Sequence, residues 1–186
     1  DMWAVCGAEH YTLDTRWRDG YLRTNRPKGD KRFDLNRYTW KKKNRYWKMN
    51  GSVVSPSKWL SNIAKESLLF ADWKTSTIQH PLDTKFWRPI NKIHCRQILD
   101  LPQNLPLIAI GNEGGDKNIR KGFDLFIESI RSLSKIKKDF GIIVFGQTRK
   151  IPELDEITKC FYFGYLDSIS MRLVYSAADV FALPSK

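Results

Sequence analysis

The chain has 186 residues, a formal net charge of +12, and 41% hydrophobic and 13% aromatic residues. This suits a globular protein with a packed core, one domain of ordinary size or parts of two. Neither end of this sequence reads as a signal peptide, and it has no run of about 18 apolar residues able to span a bilayer. Cys6, Cys95 and Cys160 are odd in number and lack C-x-x-C spacing, so neither a disulfide framework nor a zinc site is indicated. A soluble protein of the reducing cytoplasm is expected.

The opening segment, DMWAVCGAEHYTLDTRWRDGY, has no sustained period and reads as loop around short elements. Glu9 and His10 fit structural hydrogen-bonding roles better than catalytic ones. Between Arg16 and Lys48 lie 13 basic and 3 acidic residues, interleaved with Trp17, Tyr21, Phe33, Tyr38, Trp40, Tyr46 and Trp47. Such a patch suits nucleic acid, an anionic membrane surface or a polyanionic substrate. Within it, residues 34–47 predict a basic helix capped by Asp34, with Leu35, Tyr38 and Tyr46 inward and the charges solvated.

Residues 52–55 predict a strand. The following SPSKWLSNIAKESLLF predicts a helix capped by Ser55 or Ser57, with Trp59, Leu60, Ile63, Ala64 and Leu68 buried. A strand near 76–79 ends at His80-Pro81. The proline-punctuated LDTKFWRPINK then marks a domain boundary, with Asp83 and Phe86 pinning a turn. Beyond it come a helix at 93–99, strands at 107–110, 141–145 and 160–163, helices at 123–136, 152–158 and 169–178, and a last buried strand at 180–183. Strands alternating with helices predict a parallel sheet with helices on both faces.

The central block, LIAIGNEGGDKNIRKGFDLFIESIRSLSKI, reads as strand, loop and helix, with Phe123, Phe126, Ile127, Ile130 and Leu133 on one helical face. Its loop holds Gly114, Gly115 and Gly122 and ends in Arg120 and Lys121 at the helix start, which is the makings of an anion site. It matches neither the G-x-x-x-x-G-K-[ST] loop nor the G-x-G-x-x-G fingerprint. Gly111, Gly146 and Gly164 each end a strand and would line the carboxyl edge of the sheet, where open parallel sheets take their ligands.

The series VVSPSKWLSNIAKESLLF, TIQHPLDTKFWRP, RKGFDLFIESI, IIVFG, FYFGYLD and LVYSAADVFALPS resembles the retaining GT-B glycosyltransferases of family 4. The likeness is to those that build bacterial capsules, O-antigens and exopolysaccharides. It implies an α/β fold of two Rossmann-like domains facing across a cleft. Residues 1–82 would be the C-terminal part of the acceptor-side domain and 83–186 the N-terminal part of the nucleotide-sugar-binding domain. It also implies a UDP- or GDP-sugar donor, no cofactor, no metal, and a glycan or lipid-linked acceptor at the inner face of the plasma membrane. Lys121 would hold the donor diphosphate and stabilise its charge as the sugar leaves. Gly111 would let the diphosphate approach, while Gly146, Gly164 and the Tyr165–Leu166 backbone would frame the base. Many relatives carry Arg after the first-strand glycine, where this chain has Asn112; Arg120 would stand in for it. The resemblance further implies two Glu separated by seven residues just beyond Pro184-Ser185 and a His just before Asp1. With Asp1 in place of an initiating Met, a fragment of a longer protein is expected.

Two alternatives come from other classes. The segment 16–48 could serve a nucleic-acid- or polyanion-binding protein, though no recognised motif accompanies it and residues 81–186 are closer to charge balance. A non-catalytic GT-B scaffold is the other.

Overall fold

In the second half of the chain, the apolar runs at 107–110 and 141–145 suit strands covered on both faces, and that is how these two fold. The computed structural model describes residues 1–48, 51–111 and 119–186, apart from the side chain of Ile119. The chain divides into two compact units, Asp1–Leu82 and Asp83–Lys186.

The second unit begins with a turn in which Asp83 Oδ1 accepts from the Lys85 and Phe86 N–H groups at 2.9 and 3.2 Å. Helix α4 (Lys92–Ile98) follows, capped by the Asn91 side chain on His94 N–H. The sheet comprises β3 (Leu107–Gly111), β4 (Gly141–Phe145), β5 (Lys159–Gly164) and β6 (Val180–Ala182), in the order β5-β4-β3-β6, every pair parallel. Helices α5 (Phe123–Ile136), α6 (Pro152–Asp155) and α7 (Ser168–Ala177) make the crossovers. Alternate strand residues face opposite layers. Ile110, Ile142 and Val144 pack with Phe123, Phe126 and Ile130 of α5 and Leu154 of α6. Leu107, Ala109, Ile143 and Phe145 pack with Cys95 of α4 and Val174 and Ala177 of α7. Ile127 and Leu133 are partly buried against the first layer, so the expected α5 face is the one used.

The expectation of a buried last strand is corrected. Val180 and Phe181 are exposed, because β6 pairs with β3 alone among the described residues. Phe181 is still held by aromatic contacts to Phe145 and Tyr175, with ring centroids 6.2 and 5.0 Å away.

Arg96 and Asp179 knit this unit together. The buried Arg96 guanidinium donates to the carbonyls of Ala177, Pro102, Gln103 and Leu105 and, at 2.8 Å, to Asp179 Oδ2. Asp179 also accepts from Leu107 N–H at 2.7 Å and from Lys92 Nζ at 2.6 Å. Burial alone would push its carboxyl up; the Lys92 and Leu107 hydrogen bonds and the Arg96 charge overcome that and hold it below the usual carboxylate range.

The first unit contains a short helix α1 (Arg16–Asp19), α2 (Leu35–Tyr46), β1 (Ser52–Ser55), α3 (Lys58–Glu66) and β2 (Lys74–Thr77). β1 and β2 pair in parallel across α3, and Ser57 caps α3 by accepting from Leu60 N–H. Within α3, Ile63 and Ala64 are buried as expected, whereas Trp59, and Leu68 just past the helix, lie exposed.

Helix α2 departs most from expectation. Asp34 caps it, accepting from Arg37 N–H at 2.9 Å. Its buried residues, however, are Trp40 and Lys43, while Leu35, Tyr38 and Tyr46 face solvent at 55%, 48% and 68% exposure. The reason is a backbone cage: Lys43 Nζ donates to the carbonyls of Trp3, Cys6 (3.0 Å) and Gly7 (2.9 Å), and stands 3.8 Å from the Trp3 ring centroid. A cation that satisfies three carbonyls and an aromatic face displaces apolar side chains from that position.

Candidate functional site

The order β5-β4-β3-β6 places a topological switch beside β3. The chain runs outward from β3 through β4 to β5, then returns to lay β6 on β3's other side. The carboxyl ends of β3 and β6 therefore lie side by side where the strand order reverses, and ligands of open α/β sheets settle at such a point. The candidate site residues fall along this edge.

Gly111 ends β3 in register with Phe145, which is in turn in register with Gly164. A Cβ at Gly111 would lie 2.5 Å from the Phe145 ring, so packing alone requires glycine at that strand end. Gly146 and Gly164 have φ of 80° and 66°, and Gly146 N–H donates to the Gly164 carbonyl at 2.7 Å, tying the two loops. Nothing would meet a Cβ at Gly164, so its glycine answers to the turn and the space above it is open. Tyr165 is exposed on this rim; the Leu166 side chain packs with the α4–α7 layer, leaving only its backbone to the edge. Asn112, with Gly114 and Gly115, lies outside the described residues.

Arg120 and Lys121 occupy a 3-10 turn, Ile119–Lys121, immediately before α5. Gly122 follows with φ 65° and ψ 30°, the left-handed conformation, and has no side chain with which to cap the helix. A Cβ there would also collide with the Pro184 carbonyl. The Lys186 N–H donates to the Arg120 carbonyl at 2.8 Å, and Lys186 Nζ pairs with Asp124 at 2.6 Å. The turn is thus pinned against the segment after β6, at the switch point. The Lys186 hydrogen bond, with help from backbone N–H groups at the α5 start, holds the Asp124 carboxyl below its ordinary range. Lys121 is half-buried and Arg120 exposed. Consecutive side chains of a 3-10 turn project about 120° apart, so an anion touching both must straddle the turn. The arrangement offers two neighbouring cations on a pinned turn and a helix N-terminus, which together suit an anion such as a phosphate.

The residues missed at sequence level are Phe145, Pro184 and Lys186, which shape the edge through contacts remote in sequence. In the first unit, Glu9 Oε1 accepts from the Tyr21 hydroxyl at 2.5 Å, and that hydroxyl accepts from Gly7 N–H. Burial and the Glu9 bond push the Tyr21 hydroxyl up. His10 Nδ1 lies 3.0 Å from Asp1 Oδ2 on an exposed surface. Both residues serve local structure.

Among solved structures, sucrose-phosphate synthase from Thermosynechococcus elongatus matches with a TM-score of 0.56 over 72% of this chain and 35% of that one, at 19% identity. A glycosyltransferase from Rickettsia africae ESF-5 matches with a TM-score of 0.57 over 77% of this chain and 41% of that one, at 21% identity. The fold is that of the GT-B glycosyltransferases. At these identities the likeness is one of fold, and the chain spans well under half of either GT-B structure. No family model matches the sequence, and no curated protein does.

Proposed function

We propose that this chain is part of a retaining, metal-independent glycosyltransferase of family 4 type, which moves a sugar from a UDP- or GDP-sugar onto a glycan or lipid-linked acceptor. The observation that carries the reading is the position of Lys121 and Gly122 at the switch between β3 and β6, pinned by the Lys186–Arg120 hydrogen bond and the left-handed Gly122. In this reading Lys121 holds the donor diphosphate and stabilises the charge that grows there as the glycosidic bond breaks. Arg120 reaches the same phosphates from the other side of the turn, in place of the cation lacking at Asn112. The N–H groups at the α5 start add dipolar attraction, and the Gly146 and Gly164 loops with the Tyr165–Leu166 backbone border the base.

The test is turnover of the full-length protein against a panel of UDP- and GDP-sugars. Lys121→Ala should lower kcat by about 2–4 kcal/mol of transition-state stabilisation, as loss of one oxyanion-type donor does. Lys121→Arg should recover part of it. Unchanged turnover in Lys121→Ala would remove that residue from the mechanism, and a full-length protein with no turnover on any donor would favour a scaffold.

A further inference from the structure

We infer that a cavity of the second unit, between the boundary turn and α7, binds a carboxylated sugar ring, the uronic acid residue of a glycan. The cavity holds about 220 Å³, and Trp87 and Arg88 of the turn and Arg172 and Tyr175 of α7 line it. Drug-sized sites begin at about 300 Å³, so a single small ring suits this one. Arg172 and Tyr175 reach it together because residues three apart share a helix face. The turn is fixed at both ends: Trp87 N–H donates to the Asp83 carbonyl at 2.8 Å, and Ile90 N–H donates to Ser176 Oγ of α7 at 3.1 Å.

The Trp87 and Tyr175 rings meet with centroids 6.3 Å apart and planes at 58°, which makes an aromatic corner. Phe86 packs edge-on against Trp87 at 5.0 Å, and Tyr175 packs on Phe145 at 5.8 Å, so both rings are held. A flat indole face suits the C–H face of a pyranose, whose hydroxyls stay in water. The charged groups at the cavity are all of one sign. Arg172 Nε donates to the Arg88 carbonyl at 3.0 Å, and its guanidinium lies 5.3 Å from the Phe86 centroid. Among the described residues neither Arg88 nor Arg172 makes an ion pair, and no carboxylate lines the cavity. By contrast Arg16, Arg26 and Arg96 each hold a carboxylate, at 2.8, 3.1 and 2.8 Å. Two unbalanced guanidiniums repel, and a carboxylate between them removes that cost and accepts from their planar donors. A bare phosphate would satisfy the arginines and leave the aromatic corner empty. The arginines alone argue for the carboxylate; that a sugar carries it rests on the glycosyltransferase reading. Phe145 also packs against Gly111, so two rings separate the cavity from the strand end at which the donor is proposed to bind.

The experiment follows the tryptophan indole N–H signals of the full, isotope-labelled chain as methyl glucuronide, methyl glucoside or inorganic phosphate is added. The Trp87 signal is identified by its loss in Trp87→Phe. It is expected to shift with the glucuronide and to stay in place with the glucoside. Arg88→Gln, a change at an exposed side chain, should weaken glucuronide binding about ten-fold, the low end for a hydrogen bond to a charged group, and Arg172→Gln should do the same. No shift of the Trp87 signal, equal shifts with glucoside and glucuronide, unchanged affinity in both arginine variants, or phosphate binding as tight as glucuronide binding would each overturn the proposal. Turnover of the full-length protein on nucleotide-sugars is read separately. Glucuronide binding without turnover would keep the cavity's assignment and remove the glycosyltransferase reading, and turnover without glucuronide binding would do the reverse.

Discussion

Replacing Arg96 by Met tests whether the sheet that carries the candidate site is held at its far edge by one buried cation. Met keeps most of the stem's packing and removes the guanidinium. The Ala177 carbonyl, on a fully buried residue, then loses its 2.9 Å donor, at a cost of about 1–3 kcal/mol for an unsatisfied buried acceptor. Asp179 loses a charge-assisted bond of about 1.5–3 kcal/mol but keeps Lys92 and the Leu107 N–H. The carbonyls of Pro102, Gln103 and Leu105 share a single nitrogen, and water can reach that loop, so their loss adds little. The sum is about 2.5–6 kcal/mol, which brackets the range of about 3–5 kcal/mol found when one partner of a buried ion pair is removed. Against a typical domain stability of about 5–15 kcal/mol this is large. Urea unfolding would give the loss for the unit. Hydrogen exchange should show faster exchange in Leu107–Gly111 and Val180–Ala182, the two strands that Asp179 joins. A loss below about 1 kcal/mol, with exchange in both strands unchanged, would refute the argument, because the buried Ala177 carbonyl and the Asp179 carboxylate cannot both lose the guanidinium at so small a cost.

Two further outcomes follow from the same kind of reasoning. Asp179→Asn should destabilise the second unit at neutral pH, and the gap from wild type should close as pH falls. The folded carboxyl titrates below its unfolded value near 3.9, so its contribution is complete above that pH and disappears as pH drops through the folded value. A gap that stays constant between pH 6 and pH 3, values chosen to lie about two units above and one below the unfolded carboxyl, would contradict the assignment. In the first unit, Lys43→Met should cost about 2–4 kcal/mol in urea unfolding, because it strands the Cys6 and Gly7 carbonyls, though it also relieves a buried charge. A neutral or stabilising effect would mean that desolvation of the ammonium outweighs its three hydrogen bonds.

Most of the sheet was legible because its signal is local. Runs such as Gly141–Phe145 carry their own evidence of burial on both faces, and the caps at Asp34 and Ser57 announce helix starts within a few residues. The α5 face was legible for the same reason. What failed depends on contacts far apart in sequence. Lys43 is buried because carbonyls 36 and 37 residues away form its cage, and apolar periodicity, which placed Tyr38 and Tyr46 inward, cannot see that. The Arg96–Asp179 pair spans 83 residues and left no pattern. At the site, the glycines could be read as sites of turn or close approach. That Gly111 faces a phenyl ring and Gly122 a proline carbonyl could not, since one neighbour lies on β4 and the other in the segment after β6.

Net charge is a poor guide to function in this chain, because residues of one type sit in three different surroundings. Lys43 is a structural cation, spent on backbone carbonyls and invisible to any ligand. Lys42, one position earlier on the same helix, is exposed over Tyr38 and contributes to a surface whose attraction to anions salt will screen. Lys121 sits half-buried at the end of a pinned turn, and on the proposed reading its charge acts on a bound diphosphate from a held backbone position. The separation has a consequence for experiment. On the proposed reading, raising ionic strength should weaken non-specific anion binding at exposed cations such as Lys42 before it weakens a diphosphate held at Lys121, and should leave the Lys43 cage intact. A salt titration of donor binding by the full-length protein tests this, and donor binding that falls as early as non-specific anion binding would mean that the Lys121 site is a surface patch as well.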